Sequence, residues 1–257
     1  MLQNYVILPG KYIFMLSIFQ KKYYLVDLLE GLTDFHNHLL PNIDDGAKNW
    51  QDSIAMIKKF NEFGIYNFVC TPHVMGDYYP NTPETIDEAL SILQKHIDFD
   101  VQITAAAEYM MDQHLVEIMA SEDLLKVKDN KVLVEMSYFQ QPINLIDILF
   151  KLQNKNYQPI LAHPERYTFL HQKDLSAYKN LKSHGCVFQL NMLSLSEHYG
   201  IGIQKFAIKL LEEGLIDFIA SDTHRIEHLK KLKTIKISKK HLKILEQVIS
   251  RSKAIFN

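Results

Sequence analysis

Two pairs of metal-binding side chains in alternate positions are the residues of this sequence best suited to chemistry. His36 and His38 flank Asn37, and Asp222 and His224 form a second pair near the other end of the chain. Alternate residues of an extended segment point to the same side, so the two members of a pair can bind one ion together. A single His-x-His motif is a weak signal. The pairs therefore become significant only if further ligands fall in equivalent places.

Further ligand-type residues follow short apolar runs along the chain. They are Asp44, Asp45, His73, Glu108, Glu135 and His163. The apolar runs predict seven strands, at residues 32–35, 66–71, 101–107, 132–136, 158–162, 187–190 and 216–220. Segments of helical period predict helices between them, at residues 50–63, 83–96, 114–119, 145–152, 175–181 and 203–211, and a closing helix at 237–249. This alternation predicts an α/β fold with one barrel-like domain.

A barrel explains why the ligand-type residues are scattered along the sequence. Catalytic residues of such barrels lie at the carboxyl ends of the strands, which meet at one face. Every predicted strand ends in a residue that can bind a metal ion, except the sixth, which ends in Gln189 and Asn191. The joint pattern predicts a metal site at this face, with Asp34 and Asp44 supporting neighbouring ligands. The other histidines are expected at the surface or at helix ends: His96, His171, His184, His198, His228 and His241.

Composition and charge narrow the class of protein. The sequence is 47% apolar, enough for a large core, and its formal net charge of −2 gives no sign of nucleic-acid binding. A phosphatase with a cysteine nucleophile has a phosphate-binding arginine at a fixed distance after the cysteine. That position holds Gly76 after Cys70 and Met192 after Cys186, which excludes this class. Both cysteines lie in apolar runs and are expected to be buried thiols in the cytoplasm.

Residues 1–31 are predicted to form an N-terminal extension ahead of a single domain at residues 32–257. Its apolar part, residues 5–19, is interrupted by Pro9, Gly10 and Lys11 and is too short to cross a membrane. It also lacks the basic start and the cleavage site of a secretory signal. Because Met15 would make a reasonable start, we hypothesise that residues 1–14 come from an upstream start codon. The alternative is an extra strand or arm that packs on the domain.

The ligand-type segments resemble those of the PHP (polymerase and histidinol phosphatase) superfamily. Within it, the chain is most similar to the manganese-dependent protein-tyrosine phosphatases of bacterial capsule and exopolysaccharide systems. The matching segments are residues 34–38, 43–46, 70–73, 107–108, 134–135, 162–167 and 220–224, in the order found in the family. The resemblance implies a distorted (β/α)7 barrel related to the TIM barrel.

By position, the resemblance implies three divalent metal ions, with Mn favoured and Fe or Zn as alternatives. The implied ligands are His36, His38, Glu108 and Asp222 for the first ion, Glu108, Glu135 and His163 for the second, and Asp45, His73 and His224 for the third. Glu108 would bridge the first two ions. Four carboxylates against three divalent ions leave the cluster positive, which suits a phosphate dianion.

A multi-metal site matches the difficulty of phosphate-ester hydrolysis, which enzymes accelerate by up to ~10²¹. One hydrogen-bond donor contributes only about 3–4 kcal/mol, whereas metal ions generate hydroxide, orient it and bind the attacking and leaving oxygens. We hypothesise in-line attack by a metal-bound hydroxide without a phosphoenzyme. Arg166 and Arg225 are the candidates to bind phosphoryl oxygens. The alternative for Arg166 is an ion pair with Glu165 or another acid, and the family places its second arginine somewhat later than Arg225.

The resemblance implies a phosphotyrosine protein as substrate, namely an autophosphorylated tyrosine kinase of polysaccharide export. Glu135 favours the tyrosine-phosphatase branch, because other branches often have histidine there. The alternatives are a small-metabolite phosphatase of the histidinol-phosphatase type and a non-catalytic metal-binding domain. The loop at residues 76–80 is either an aromatic wall for the phosphotyrosine ring or an ordinary turn. Nucleic-acid binding and stable membrane insertion are not expected.

Overall fold

The computed structural model describes residues 22–257. The strands in chain order are β1 (Tyr23–Tyr24), β2 (Thr33–Asp34), β3 (Asn67–Cys70), β4 (His73–Val74), β5 (Gln102–Ala105), β6 (Glu108–Met110), β7 (Lys131–Glu135), β8 (Gln158–Ala162), β9 (Val187–Asn191), β10 (Phe218–Ala220) and β11 (Lys236–Ile237). The α-helices are α1 (Trp50–Asn61), α2 (Pro83–Gln94), α3 (Gln113–Ser121), α4 (Leu145–Asn154), α5 (Ser176–Ser183), α6 (Ile201–Glu212), α7 (Ile226–Leu232) and α8 (Lys239–Phe256). The hypothesis about residues 1–14 lies outside the described residues.

Parallel strands surround the core in the order in which they occur in the sequence. β10, β9, β8, β7, β6 and β4 pair in that order, and β2, β3 and β5 form the adjoining sheet. Across the break between β3 and β4, Glu108 N donates to Pro72 O at 2.9 Å. At the seam between the first and last strands, Asp222 N donates to His36 O at 2.8 Å and His38 N to Thr223 O at 2.9 Å. The predicted α/β fold class is confirmed, and these bonds bring the ends of the first and last strands of the two sheets together.

Helix α2 shows how the local sequence sets the bounds of these elements. The Thr82 side chain accepts a hydrogen bond from Thr85 N, and Pro83 occupies the first turn, where its missing N–H is not needed. Ile86, Ala89 and Leu93 lie on one face and are buried. The helix therefore starts where the sequence predicts and packs on the core through this face.

The last turn of α8 packs against the core at the amino ends of the strands. The Phe256 ring stacks on Phe35 with centroids 3.9 Å apart and meets Phe218 edge-on at 5.2 Å. Asn257 Oδ1 accepts from Thr33 N at 3.2 Å, which fixes this end of α8 at the start of β2. The aromatic cluster thus supports the strand that carries the His36–His38 pair.

Replacement of Phe256 by alanine is expected to lower the free energy of unfolding by about 3–5 kcal/mol, because it leaves a cavity in a packed cluster. Urea unfolding followed by circular dichroism measures the change. The matched control is Phe150→Ala on α4, a side chain 59% exposed, expected to change stability by less than about 0.5 kcal/mol. Equal effects of the two substitutions would contradict the packing role of Phe256.

The two ends of the described chain contain elements that the sequence analysis did not predict. Residues 22–31, assigned to the extension, pack with the domain: Leu25 and Leu29 are completely buried, and β1 pairs with β11 in antiparallel fashion. Helix α7 and strand β11 were not predicted, and the closing helix α8 runs to Phe256 rather than ending at residue 249. Pairing between the two ends of a chain leaves no local pattern in the sequence, which explains the difference.

The state of the cysteines and the composition of the helices can be read from the structure. Cys70 and Cys186 are free and buried, as predicted. Among the helices of residues 22–257, none combines the length and the apolar composition that crossing a membrane requires.

Candidate metal centre

The side chains predicted to bind metal ions converge at the carboxyl ends of the barrel strands. Seven of them are at most 8% exposed: His36, His38, His73, Glu108, Glu135, His163 and Asp222. Asp45 and His224 lie at the rim, where their side chains are 55% and 16% exposed. Each of these nine residues belongs to at least one group whose ligand atoms lie within 4.8 Å of one another.

The innermost group contains the His36–His38 pair and two carboxylates. His36 Nε2 lies 3.2 Å from Glu108 Oε1 and 3.4 Å from Asp222 Oδ1. His38 Nε2 lies 3.5 Å from Glu108 Oε2 and 3.4 Å from Asp222 Oδ1. Both histidines implied for the first ion therefore lie close to Asp222 and to Glu108, and His36, His38 and Asp222 form a group of mutually close ligand atoms.

Glu108 also faces the residues implied for the second ion. His163 Nε2 lies 3.3 Å from Glu108 Oε1 and 3.9 Å from Glu135 Oε2. His73 joins this group from the opposite side, because its Nδ1 lies 2.8 Å from Glu135 Oε1 and 3.1 Å from Glu108 Oε2. The family resemblance implied His73 as a ligand of the third ion only.

The outer group is built around Asp45. Its Oδ1 lies 3.4 Å from His73 Nε2 and 3.3 Å from His224 Nε2. His38 falls within the same group of mutually close ligand atoms. His38 and His73 thus connect the outer group to the buried ones, and the ligands form one continuous cluster.

The polar atoms at the centre of this cluster fit metal ions. Seven of them are buried without a hydrogen-bond partner: His36 Nε2, His38 Nε2, His73 Nδ1, Glu108 Oε1 and Oε2, Glu135 Oε1 and Asp222 Oδ1. Leaving a buried polar atom unsatisfied costs about 1–3 kcal/mol. Seven such atoms in one place therefore point to a bound group that satisfies them. Imidazole nitrogens with carboxylate oxygens and no thiolate suit Mn, Fe or Zn.

Two of the ligands have strained backbones. His163 has φ of 35° and Asp222 has φ of 52°, in the left-handed region that residues other than glycine rarely adopt. Such conformations cost on the order of 1–3 kcal/mol each and persist where the surroundings enforce them. His163 N donates to Gln189 Oε1 at 3.2 Å, and Asp222 N is held across the seam by His36 O.

Two side chains orient the histidines of the first strand. Asp44 Oδ2 lies 2.7 Å from His38 Nδ1 and also accepts from His73 N at 3.2 Å. Gln189 Oε1 lies 2.9 Å from His36 Nδ1. With the proton on Nδ1, Nε2 of each ring is free for a metal ion. Asp44 thus lies where a supporting residue was predicted, whereas Gln189 was noted only as the end of the sixth strand.

Arg166 lies next to the buried carboxylates. Its Nη1 donates to Asp222 Oδ2 at 2.8 Å, and its guanidinium stacks between Tyr138 and Tyr199, with Cζ 4.5 and 4.1 Å from the ring centroids. Asn191 Nδ2 donates to the same Asp222 oxygen at 2.8 Å. Of the alternatives considered for Arg166, the ion pair with an acid is present, and the acid is Asp222 rather than Glu165. The two tyrosines were not singled out from the sequence.

Arg225 lies at the rim rather than in the buried cluster. It is exposed, and with Asp45 and His224 it lines a cavity of about 480 Å³. Its Nε lies 3.1 Å from His228 Nε2. His228 was expected at the surface or at a helix end, but it is buried in α7. Burial, together with the neighbouring His224, lowers the pKa of His228 to about 4.

Two relatives of this chain are named as tyrosine-protein phosphatases. The chain is 31% identical over 200 residues to the tyrosine-protein phosphatase YwqE of Bacillus subtilis, covering 76% of this chain and 78% of that protein. It is 24% identical over 205 residues to the tyrosine-protein phosphatase CpsB of Streptococcus pneumoniae, covering 76% of this chain and 84% of CpsB.

Two solved structures superimpose on most of this chain. A crystal structure from a study of YwqE and CpsB, described as metal-dependent tyrosine phosphatases, superimposes with a TM-score of 0.77 at 27% identity, covering 88% of this chain and 94% of that one. A histidinol phosphate phosphatase from Lactococcus lactis superimposes with a TM-score of 0.51 at 14% identity, covering 80% and 92%, which shows a shared fold alone. The family described as "Capsular polysaccharide synthesis, CpsB/CapC" matches residues 32–248, which span every proposed metal ligand. The chain therefore belongs to the CpsB/CapC family of capsular polysaccharide synthesis.

Proposed function

We propose that this protein is a metal-dependent protein-tyrosine phosphatase, acting on an autophosphorylated tyrosine kinase that regulates capsular or exopolysaccharide synthesis. The observation that carries the proposal is the convergence of buried, unpartnered ligand atoms beside Arg166. The activity named for YwqE and CpsB supports the reaction, and the family's role in capsular polysaccharide synthesis supports the pathway. The two free thiols are consistent with a cytoplasmic reaction.

We assign three divalent ions to the cluster, with manganese favoured. Following the family resemblance, the proposed ligands are His36, His38, Glu108 and Asp222 for the first, Glu108, Glu135 and His163 for the second, and Asp45, His73 and His224 for the third. The grouping of close ligand atoms in the structure differs in detail, but it contains all nine residues. When bound, such ions lower the pKa of water and neutralise charge on the transferring phosphoryl group. We further propose that residues 32–257 form one catalytic domain and that residues 22–31 complete its core.

Arg166 is proposed to bind the phosphoryl oxygens. One N–H of its guanidinium is committed to Asp222, which leaves other N–H groups of the planar fork for a phosphate. The Tyr138 and Tyr199 rings hold the plane of the guanidinium from both sides. The exposed Arg225 is proposed as a second cation that attracts the phosphate at the rim.

A phosphotyrosine substrate needs little help from a general acid. The phenolate leaving group has a pKa near 10, so it leaves with less proton transfer than an alkoxide needs. Tyr79 stacks on His73 with ring centroids 5.6 Å apart, which places an aromatic face of the 76–80 loop beside the ligands. Residues 76–80 can therefore contact a substrate ring as a wall of the site.

Replacement of Arg166 by lysine is expected to lower kcat/KM by about a hundredfold, because the point charge of lysine replaces a planar pair of donors. The same substitution at the exposed Arg225 is expected to cost about tenfold or less. Steady-state assays with para-nitrophenyl phosphate measure both effects. Arg251→Lys, on α8 away from the site, is the control for the chemical change. Equal activity of the Arg166 and Arg251 variants would refute the role of Arg166.

The proposed function is tested by stripping the purified protein of metal, resupplying Mn²⁺, and assaying three substrates in parallel. These are a phosphotyrosine peptide, the corresponding phosphoserine peptide and histidinol phosphate. We expect turnover of the phosphotyrosine peptide only with metal, at a kcat/KM well above that for the other two. Turnover of histidinol phosphate alone would instead identify a small-metabolite phosphatase. Metal binding without turnover of any substrate would identify a non-catalytic domain.

A further inference from the structure

An open groove beside the metal centre carries an unusual concentration of exposed apolar side chains. It has a volume of about 700 Å³ and runs between the loop after β4 and the loop after β7. Phe139 and Ile143 in the second loop are 94% and 102% exposed, and Tyr78 in the first is 79% exposed. Exposed apolar side chains grouped in a groove mark a binding surface more often than scattered ones do.

The groove lies close to the candidate metal centre. Met75, Met110 and Ser137 line it, and each lies two residues after a proposed ligand: His73, Glu108 and Glu135 respectively. Glu108 and Met110 occupy one strand, in which alternate side chains point to the same side. A phosphate held at the cluster would therefore place the adjoining part of its substrate at the near end of the groove.

The charged side chains that line the groove are all acidic. Its lining includes two carboxylates, Asp77 and Asp112, and no lysine, arginine or histidine. One oxygen of Asp112 accepts a hydrogen bond from Leu115 N at the start of α3, and Asp77 is exposed. A segment lying in the groove therefore meets apolar surface together with negative charge.

We propose that this groove binds the polypeptide segment adjoining the phosphotyrosine of a protein substrate, and that it selects segments with an apolar side chain next to a lysine or arginine. The inference rests on the proposed function and adds sequence selectivity to it. Phe139 and Ile143 supply the apolar contact, and Asp77 and Asp112 attract the cation. The phosphate itself is left to the metal centre and Arg166.

The test uses the full-length metal-loaded protein and phosphotyrosyl peptides of one length that differ only around the phosphotyrosine. One has Leu-Arg on both sides, a second Ser-Arg, and a third Ser-Glu; free phosphotyrosine is the baseline. We expect kcat/KM for the Leu-Arg peptide to exceed that for the Ser-Glu peptide by about tenfold or more. The Ser-Arg peptide separates the apolar contribution from the charge contribution.

Variants assign each contribution to its residues. The double variant Phe139→Ser, Ile143→Ser should remove the advantage of Leu-Arg over Ser-Arg and leave free phosphotyrosine unaffected. The variant Asp77→Asn, Asp112→Asn should remove the advantage of Ser-Arg over Ser-Glu; asparagine keeps the cap of α3. Phe150→Ser and Ile201→Ser, at exposed positions outside the groove, are the matched controls.

Binding gives a second readout that does not depend on turnover. Isothermal titration calorimetry with non-hydrolysable phosphonate analogues of the three peptides should give the same order of affinity and the same response to the variants. Equal kcat/KM and equal affinity for all three peptides would overturn the proposal, even if phosphotyrosine is hydrolysed. The proposal would also be overturned if the Phe139→Ser, Ile143→Ser variant changed the oligomeric state in sedimentation but none of the peptide affinities or kcat/KM values. Absence of turnover on free phosphotyrosine and on every peptide would instead reject the phosphatase function, and the affinities would still decide on the groove.

Discussion

Replacement of Glu108 by glutamine is expected to lower kcat/KM by about a thousandfold or more, the largest effect of any single substitution in this protein. Glu108 has carboxylate oxygens within 3.5 Å of four imidazoles, those of His36, His38, His73 and His163. Glutamine keeps the size of the side chain but removes its charge and turns one acceptor into a donor. Loss of a bridging carboxylate should therefore remove several kcal/mol of charge stabilisation, roughly 4 kcal/mol for a thousandfold effect.

Activity and metal content should fall together in this variant. Para-nitrophenyl phosphate assays give kcat/KM, and inductively coupled plasma mass spectrometry gives the number of ions per chain. Glu246→Gln, an exposed position on α8, is the matched control and should change neither quantity. A Glu108→Gln protein that retains full metal content and more than about a tenth of the activity would show that Glu108 does not bridge the ions.

Removal of the metal ions is expected to lower the melting temperature by at least about 10 °C. Each site occupied at a thousand times its Kd adds about 4 kcal/mol to stability. In a domain of this size, 1 kcal/mol corresponds to a shift of about 2–4 °C. Differential scanning calorimetry of the chelated and the Mn²⁺-resupplied protein measures the difference. The Phe256→Ala variant should show the same metal-dependent shift from a lower starting point, because its defect lies in a separate part of the core.

The fall in melting temperature on metal removal should increase with pH. In the metal-free protein, burial disfavours a charged His38, but Asp44 and further carboxylates outweigh burial and raise the pKa of His38 to about 10. The pKa of His73 is also raised by Glu135 and Glu108 against the effect of burial. Stabilisation from a raised histidine pKa is complete below the unfolded value of 6.5 and is lost as the pH rises through the folded value.

Chelation should therefore lower the melting temperature more at pH 9 than at pH 6. Below the histidine pKa values, protons partly replace the metal ions in neutralising the carboxylates. The measurement is the difference in melting temperature between loaded and stripped protein at both pH values. A difference independent of pH would show that the stripped cluster is neutralised in another way, for example by protonated carboxylates.

Local sequence patterns were sufficient to predict the elements that position the site. Every predicted strand is present, because short apolar runs between helical segments determine buried parallel strands without reference to distant residues. The ligand-type residues could be recognised for the same reason, since each follows such a run. The Thr82-Pro83 start of α2 was predicted because capping depends only on neighbouring residues.

Features that depend on distant contacts could not be predicted. The stack of Arg166 between Tyr138 and Tyr199 joins three loops, and neither tyrosine has a local signal that distinguishes it from other surface tyrosines. The left-handed backbone of His163 and Asp222 is uncommon for residues other than glycine and has no local signal in the sequence. The double contact of His73 with Glu135 and Asp45 likewise depends on how two loops meet.

The seam of the barrel has a consequence for the biogenesis of the protein. Asp34 Oδ1 accepts from Ser221 N across 187 positions of sequence, and the same junction brings the first-strand histidines to Asp222. While the ribosome is still adding the last third of the chain, the early histidines lack the partner that completes their ion site. The complete group of His36, His38 and Asp222 can therefore assemble only after nearly the whole chain has been synthesised.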